Sequence, residues 1–197
     1  MKRFTKHRTD KFGSHSQAGF TLVELIITMA IAAIIMTQAV PAFSTTIKNN
    51  RLATETNKLV ADINLARSES IKRGVNLIMC SSTNPSAAAP TCADSATWTT
   101  GWLVFADDNA SGDFEAANDT LIRIGLGQSA GSSIGFISNA NTLTYTAQGL
   151  TTSAATTVVA ICDDRGTSFG RQIQINPTGR PRLVASPIGN CTAPAAA

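Results

Sequence analysis

The hydropathy of the chain changes character twice. Residues 20–43 read FTLVELIITMAIAAIIMTQAVPAF, 24 residues with a single charge, Glu24. As a helix this run is about 36 Å long, enough to cross a hydrocarbon core of ~30 Å. Beyond it Leu52, Leu59, Val60, Ile63, Ala66 and Ile71 recur at three-, four- and seven-residue spacings, which marks one apolar stripe on a continuing helix. Lys72 and Arg73 suit the negative end of a helix dipole, and Gly74 supplies a stop. From there the apolar runs shorten and become β-branched and aromatic, separated by Gly, Asn, Asp and Ser. Strands are expected at 75–79, 102–105, 120–124, 133–137, 143–146, 157–162, 171–175 and 182–184. Residues 81–97 and 192–197 are small-residue loop sequence. The expected class is α+β, one long helix packed on an antiparallel β-sheet head.

Charge orients the apolar run. Residues 1–19 hold five bases (Lys2, Arg3, Lys6, Arg8, Lys11) against Asp10, whereas residues 20–197 hold 11 bases against 12 acids. Positive charge ahead of the span keeps the N-terminus in the cytoplasm and sends the head outward. The overall charge of +3 is therefore a property of the leader, and any polyanion contact by the head must rest on a local patch. His7 and His15 also lie ahead of residue 20. A chain cut there has no histidine, which excludes Ser-His-Asp and Cys-His nucleophiles and histidine-ligated metals. No cofactor and no enzymatic activity are expected.

The four cysteines, Cys80, Cys92, Cys162 and Cys191, lie downstream of the span and lack C-x-x-C spacing. Export implies an oxidising compartment. Of the three pairings open to them, Cys80–Cys92 with Cys162–Cys191 is favoured, since each closes a local loop without crossing the other. Free buried thiols are the alternative.

Glu24 conflicts with a lipid-facing helix, because an unpaired carboxylate there costs several kcal/mol. An ordinary secretory signal is cut after its apolar region; here the informative junction, Gly19-Phe20, precedes it. Cleavage after Gly19 creates a positive α-amino group one helical turn from Glu24, on this subunit or a neighbour. Gly19-Phe20-Thr21-Leu22-Val23-Glu24-Leu25 resembles the processing site of type IV prepilins, and Pro41 falls where that family commonly disturbs the helix. The resemblance implies a prepilin peptidase that cuts after Gly19 and methylates Phe20, with Glu24 serving assembly. It divides the chain into a cleaved leader (1–19), a transmembrane half-helix (20–43), an amphipathic half-helix (44–74) and a periplasmic head (75–197). The anchor is single-pass in the inner membrane until the subunit enters a pilus or pseudopilus.

The head resembles the FimT/GspH family of minor pilins and pseudopilins through Gly101-Trp102-Leu103-Val104-Phe105, with Asp107 and Asn109 after it, and through Asn176-Pro177-Thr178-Gly179-Arg180-Pro181-Arg182. This implies a minor pilin in pilus assembly or initiation, partnered by other major and minor pilins; the alternative is a type II secretion pseudopilin with a purely structural role. In some FimT-like proteins a Gly-Arg-x-Arg motif binds double-stranded DNA during uptake in natural transformation, and Gly179, Arg180 and Arg182 match it. Paired guanidinium forks suit phosphate oxygens, and Arg171 and Arg165 are candidates to extend the patch. The alternative is a hairpin turn whose arginines pair with Asp163, Asp164 or a neighbouring pilin. Residues 107–113 (DDNASGD) resemble the front of a calcium loop, but Asn118 stands where the twelfth position needs a bidentate Glu, so a surface turn is expected.

Mass spectrometry of filament-associated protein should find Phe20 as the first residue. An intact Met1 contradicts the reading, and Glu24→Ala should lower filament abundance without blocking cleavage.

Overall fold

The computed structural model describes residues 19–95, 97–127, 131–137, 141–184 and 187–191. All but the last residue of the expected leader, and the 192–197 tail, lie outside the described residues. The order is one helix, α1 (Leu22–Arg73), then β1 (Asn76–Ser81), β2 (Gly101–Asp107), β3 (Thr120–Leu126), β4 (Ser132–Phe136), β5 (Thr142–Tyr145), β6 (Thr157–Asp163), β7 (Arg171–Ile175) and β8 (Pro181–Val184). A single 3-10 turn, Gly166–Ser168, precedes β7. By contacts the chain divides into two compact units, Met1–Ser44 and Thr45–Ala197.

In the first unit α1 is apolar on every side and exposed, and it is long and apolar enough to cross a membrane. Two of its threonine hydroxyls are satisfied locally. Thr28 and Thr37 donate their hydroxyls to the carbonyls of Leu25 and Ile34, at 2.9 and 2.7 Å. Such back-bonding leaves little unmet polarity for an apolar solvent to penalise. Pro41 lies inside the helix and removes one backbone donor.

The second unit is built on the rest of α1 and two four-stranded antiparallel sheets, ordered β3-β2-β1-β5 and β4-β6-β7-β8. The inner faces follow from strand alternation: Leu77, Met79, Trp102, Val104, Leu143 and Tyr145 on one sheet, Ile134, Phe136, Val159, Ile161, Ile173 and Ile175 on the other. Leu52, Leu59, Ile63 and Ala66 of α1 join both sets in one core. Of the stripe read from sequence, these four are buried, Val60 is only partly so, and Ile71 is half exposed. Ile71 marks where the stripe passes off the sheets and onto the 146–151 turn, whose Gly149 it covers.

The buried face also holds two carboxylates, Glu55 and Asp62. Asp62, 1% exposed, accepts the Trp102 indole N–H at 3.0 Å and the Arg123 Nε–H at 3.1 Å. A bulge makes this possible. Val104 pairs with Arg123 but Phe105 pairs with Leu121, so Ile122 is the extra residue and the strand changes face across it. Leu121 stays on the outer face while Arg123 turns inward to the helix. Gly125 lies under the Trp102 ring, where a Cβ would come within 2.0 Å of the indole.

Both outer faces are covered too, each beneath a disulfide. Cys80–Cys92 lays its loop over Ile78, Leu103 and Phe105, with Phe114 and Leu121 beside it. Cys162–Cys191 ties the C-terminal segment across Ala160 and Ile188. Non-reducing peptide mapping should recover these two pairs. Chain entropy assigns ~3 kcal/mol to the shorter loop and ~3.5 to the longer, so Cys162→Ser/Cys191→Ser should be the more destabilising pair in denaturant titration.

Glu55 gives a test by pH. Burial pushes its carboxyl above the ordinary range, and the hydrogen bond and charge of Arg51 only partly oppose this. A raised folded-state value means stability present below about 4.5 that is lost as pH rises. Glu55→Gln should therefore melt a few degrees higher at pH 7, roughly 1 kcal/mol, and the gap should close by pH 4. A gap that persists in acid contradicts burial as the cause.

Candidate functional site

Two places hold the residues singled out by sequence. The first is the processing junction. Gly19 and Phe20 are exposed and precede the helix, which starts at Leu22. Thr21 caps it: its Oγ1 accepts the Glu24 N–H at 3.2 Å. Thr21-x-x-Glu24 is thus half of a capping box, a local reason for an acid in the first turn that the sequence reading passed over. Phe20 is not on the helical face of Glu24 while residue 19 is still attached; the two share no turn in the uncut chain.

The second place is the turn between β7 and β8. Asn176 starts it, its carbonyl accepting the Gly179 N–H at 2.8 Å. Its side-chain oxygen takes the Thr178 hydroxyl at 2.7 Å and the Arg180 N–H at 3.3 Å. Gly179 has φ +78°, and a Cβ there would lie 2.2 Å from the Gly149 carbonyl and 2.9 Å from the Tyr145 ring. Glycine is required on both counts. Tyr145, fully buried, donates its hydroxyl to the Gly179 carbonyl at 3.1 Å, and burial drives that hydroxyl far above its ordinary value, keeping it a donor. The Pro177 carbonyl accepts the Thr151 N–H at 3.1 Å. The turn is held from three sides, and Arg180 and Arg182 leave it exposed to solvent.

The remaining arginines of the proposed patch behave differently. Arg165 folds back on Asp163, with Nη2 at 2.6 Å and Nε at 2.9 Å from the same oxygen. It also donates to Asn49 at 2.9 Å and stacks over Phe169 at 4.3 Å. Only 14% of its side chain is exposed. Burial pushes Asp163 up, but the hydrogen bonds and charge of Arg165 prevail and hold it below the ordinary carboxylate range. Arg165 is thus one half of an ion pair on the helix side of the head, the hairpin-pairing alternative realised at a different arginine.

Arg171 is separated by register. It pairs with Ile161 and shares a face with Ile173 and Ile175, whereas Arg182 pairs with Gln174 on the other face. Arg171 also stands at the end of β7 away from the turn. Neither residue extends the Arg180–Arg182 pair.

The acidic turn after β2 is closed on itself. Asp107 accepts the Ser111 and Gly112 N–H groups at 3.0 and 3.2 Å. Asp119 accepts those of Asp108 and Glu115, and Glu115 takes the amides of Asn109 and Asn118. These carboxylates hold backbone and amide donors, as a turn requires.

Comparison with known proteins agrees with this architecture. Residues 55–179 match the family model described as type II transport protein GspH, and residues 14–37 match the prokaryotic N-terminal methylation motif. Two crystal forms of the type IV minor pilin FimU from Pseudomonas aeruginosa PAO1 share the fold. One has a TM-score of 0.52 at 23% identity, covering 67% of this chain and 91% of that one. The other has 0.54 at 24%, covering 71% and 91%. At such identity the likeness is one of fold. No curated protein matches the chain.

Proposed function

The chain belongs to the GspH family of minor pilins and pseudopilins, and on that premise we propose that it is a minor type IV pilin that helps initiate and assemble a pilus and contacts double-stranded DNA through its head. The methylation motif implies processing by a prepilin peptidase and partnership with other pilins. In this reading the peptidase removes residues 1–19 and methylates Phe20. Residues 20–43 anchor the subunit in the inner membrane as a single pass, residues 44–74 continue the helix, and the head, 75–197, waits in the periplasm. Removal of the leader frees the start of the helix and gives Glu24 a cationic partner in lipid. The subunit then packs among major and minor pilins through the apolar half of α1.

The observation that carries the DNA contact is the state of Arg180 and Arg182. Both are exposed on a pinned turn, and neither meets a carboxylate among the described residues. Residues from 45 onward carry 11 bases and 11 acids, so no long-range field gathers DNA and the contact is local. A second reading follows from the family description itself: a type II secretion pseudopilin whose arginines meet a neighbouring subunit.

Titration of labelled duplex DNA with the processed full chain in neutral detergent separates the two. With roughly 2–4 phosphates neutralised, binding should be micromolar or weaker, indifferent to sequence, with log K falling against log salt at a slope of about −2 to −4. Arg180→Gln/Arg182→Gln should abolish it at an unchanged melting temperature. No binding by the wild type at high micromolar protein, or equal binding by the double variant, removes DNA from the function and leaves a purely structural filament role, in a pilus or in a secretion pseudopilus.

A further inference from the structure

The described residues include eight arginines. Four are committed to carboxylates: Arg51 to Glu55, Arg73 to Glu69, Arg123 to Asp62 and Arg165 to Asp163. Arg171 stands apart on the inner face of its sheet. Of the other three, Arg67 lies against the turn that carries Arg180 and leads into Arg182, although more than a hundred residues separate it from them in sequence.

Arg67 comes from the last turns of α1, where it is half buried. Its Nε–H donates to the Gly149 carbonyl at 3.0 Å. The same Nε lies 3.1 Å from where a Gly179 Cβ would stand, so its guanidinium is seated against the residue that precedes Arg180. Gly149, at φ +74°, is held there by Ile71, which a Cβ would meet at 2.6 Å, while the Arg67 stem lies in ordinary contact at 3.5 Å. Only Nε has a hydrogen-bond acceptor among the described residues, which leaves both terminal amino groups of the fork available. The nearest acid along the helix, Glu69, is engaged by Lys72 and Arg73 at 3.2 and 2.8 Å. A half-buried, immobilised guanidinium without a counter-charge, beside two exposed ones, is an arrangement that repels itself unless an anion joins it.

We infer that Arg67 is the third arginine of this site, and that the three together grip phosphodiester oxygens, with Arg67 as the fixed member and Arg180 and Arg182 as the adaptable ones. The inference rests on the DNA contact proposed above and adds to it a residue and a geometry. A guanidinium already held by the Gly149 carbonyl loses less freedom on binding than an exposed side chain does. The Gly179 backbone against which Arg67 is seated is fixed in turn by the Tyr145 hydroxyl.

The test is the salt dependence of duplex binding by the processed full chain in neutral detergent, comparing wild type, Arg67→Gln, Arg67→Lys and Arg180→Gln/Arg182→Gln. Loss of one phosphate contact should make the slope shallower by about 0.9 and weaken binding roughly fivefold to tenfold at 0.1 M salt. Arg67→Gln should show both changes. Arg67→Lys should keep the wild-type slope with a smaller loss of affinity, because it retains the charge and gives up the fork. A merely structural role would lower the melting temperature and leave the slope alone. If Arg67→Gln folds poorly, Arg67→Lys decides: a wild-type slope with weaker binding at an unchanged melting temperature supports the site, and wild-type affinity or a shallower slope overturns it. An unchanged slope in Arg67→Gln, while the Arg180/Arg182 double variant fails to bind, overturns the role of Arg67 and spares the exposed pair. Wild-type protein that binds no duplex overturns both.

Discussion

Two four-stranded sheets close on four side chains of one helix. Leu52, Leu59, Ile63 and Ala66 form the common floor for both inner faces, and the sheets share no main-chain ladder that would replace it. An isolated bridge, Thr97 to Gly135, the Trp98–Ile134 hydrogen bond and the Thr99 hydroxyl at Ile134 stitch the loop before β2 to β4. The helix therefore acts as the core of the second unit as well as its connection to the first. An apolar helix face tolerates few polar atoms; Glu55 keeps one buried oxygen without a hydrogen bond, whereas Asp62 is fully matched. Asp62 meets Trp102 and Arg123, while Lys58 lies over the same indole at 5.4 Å and donates to the Leu126 carbonyl at 2.7 Å. Removing one partner of a buried pair leaves an uncompensated charge worth about 3–5 kcal/mol, so β2, β3 and the helix are coupled by chemistry as well as by shape.

With one helix for two inner faces, nothing regular remains for the outer ones. The chain covers them with loops, and loops hold poorly without cross-links. That is the place of the disulfides: Cys80 and Cys162 point outward on their strands, and each ties down a segment that buries the neighbouring apolar side chains. The outer cover ends near β8, whose Leu183 and Arg182 stay exposed. The arginine turn thus sits on the least covered border of the second sheet, open to solvent although its backbone is fixed from beneath.

Much of this was legible in the chain, and the failures have a common cause. The strands announce themselves through β-branched and aromatic runs, because all but β3 and β8 are buried on at least one face and local composition follows burial. The end of α1 at Gly74 is equally local, a positive φ of 70° after two basic residues. What local pattern could not reveal is pairing at a distance. Asp62 looks like a surface acid in a helical stripe until Trp102 and Arg123 are placed against it. The inward turn of Arg123 depends on a one-residue bulge that no turn signal marks. Arg165 and Arg171 were grouped with Arg180 and Arg182 by proximity in sequence and by sign of charge. Sheet register parts the one, and an ion pair takes the other. Arg67 is the converse, an unremarkable helix position whose guanidinium reaches the turn where Gly179 lacks a Cβ.

The electrostatics of the second unit follow from these pairings. Its charges cancel in number, yet they are not interchangeable, since half of the arginines are fixed to a particular carboxylate and Asp107, Glu115 and Asp119 are occupied by backbone and amide donors. A surface of this kind has little field at a distance and cannot steer a polyanion toward itself. Whatever anion it holds must be held at contact range by groups already in place. Preorganisation then matters more than total charge, because each guanidinium that needs no further ordering returns more of its interaction energy as affinity. Repetition supplies the rest. Several weak heads displayed along one filament raise the effective concentration of a long anionic chain at each site. A neutral head with a rigid, locally unpaired arginine turn is therefore suited to a filament subunit, in a way it would not suit a monomer acting alone.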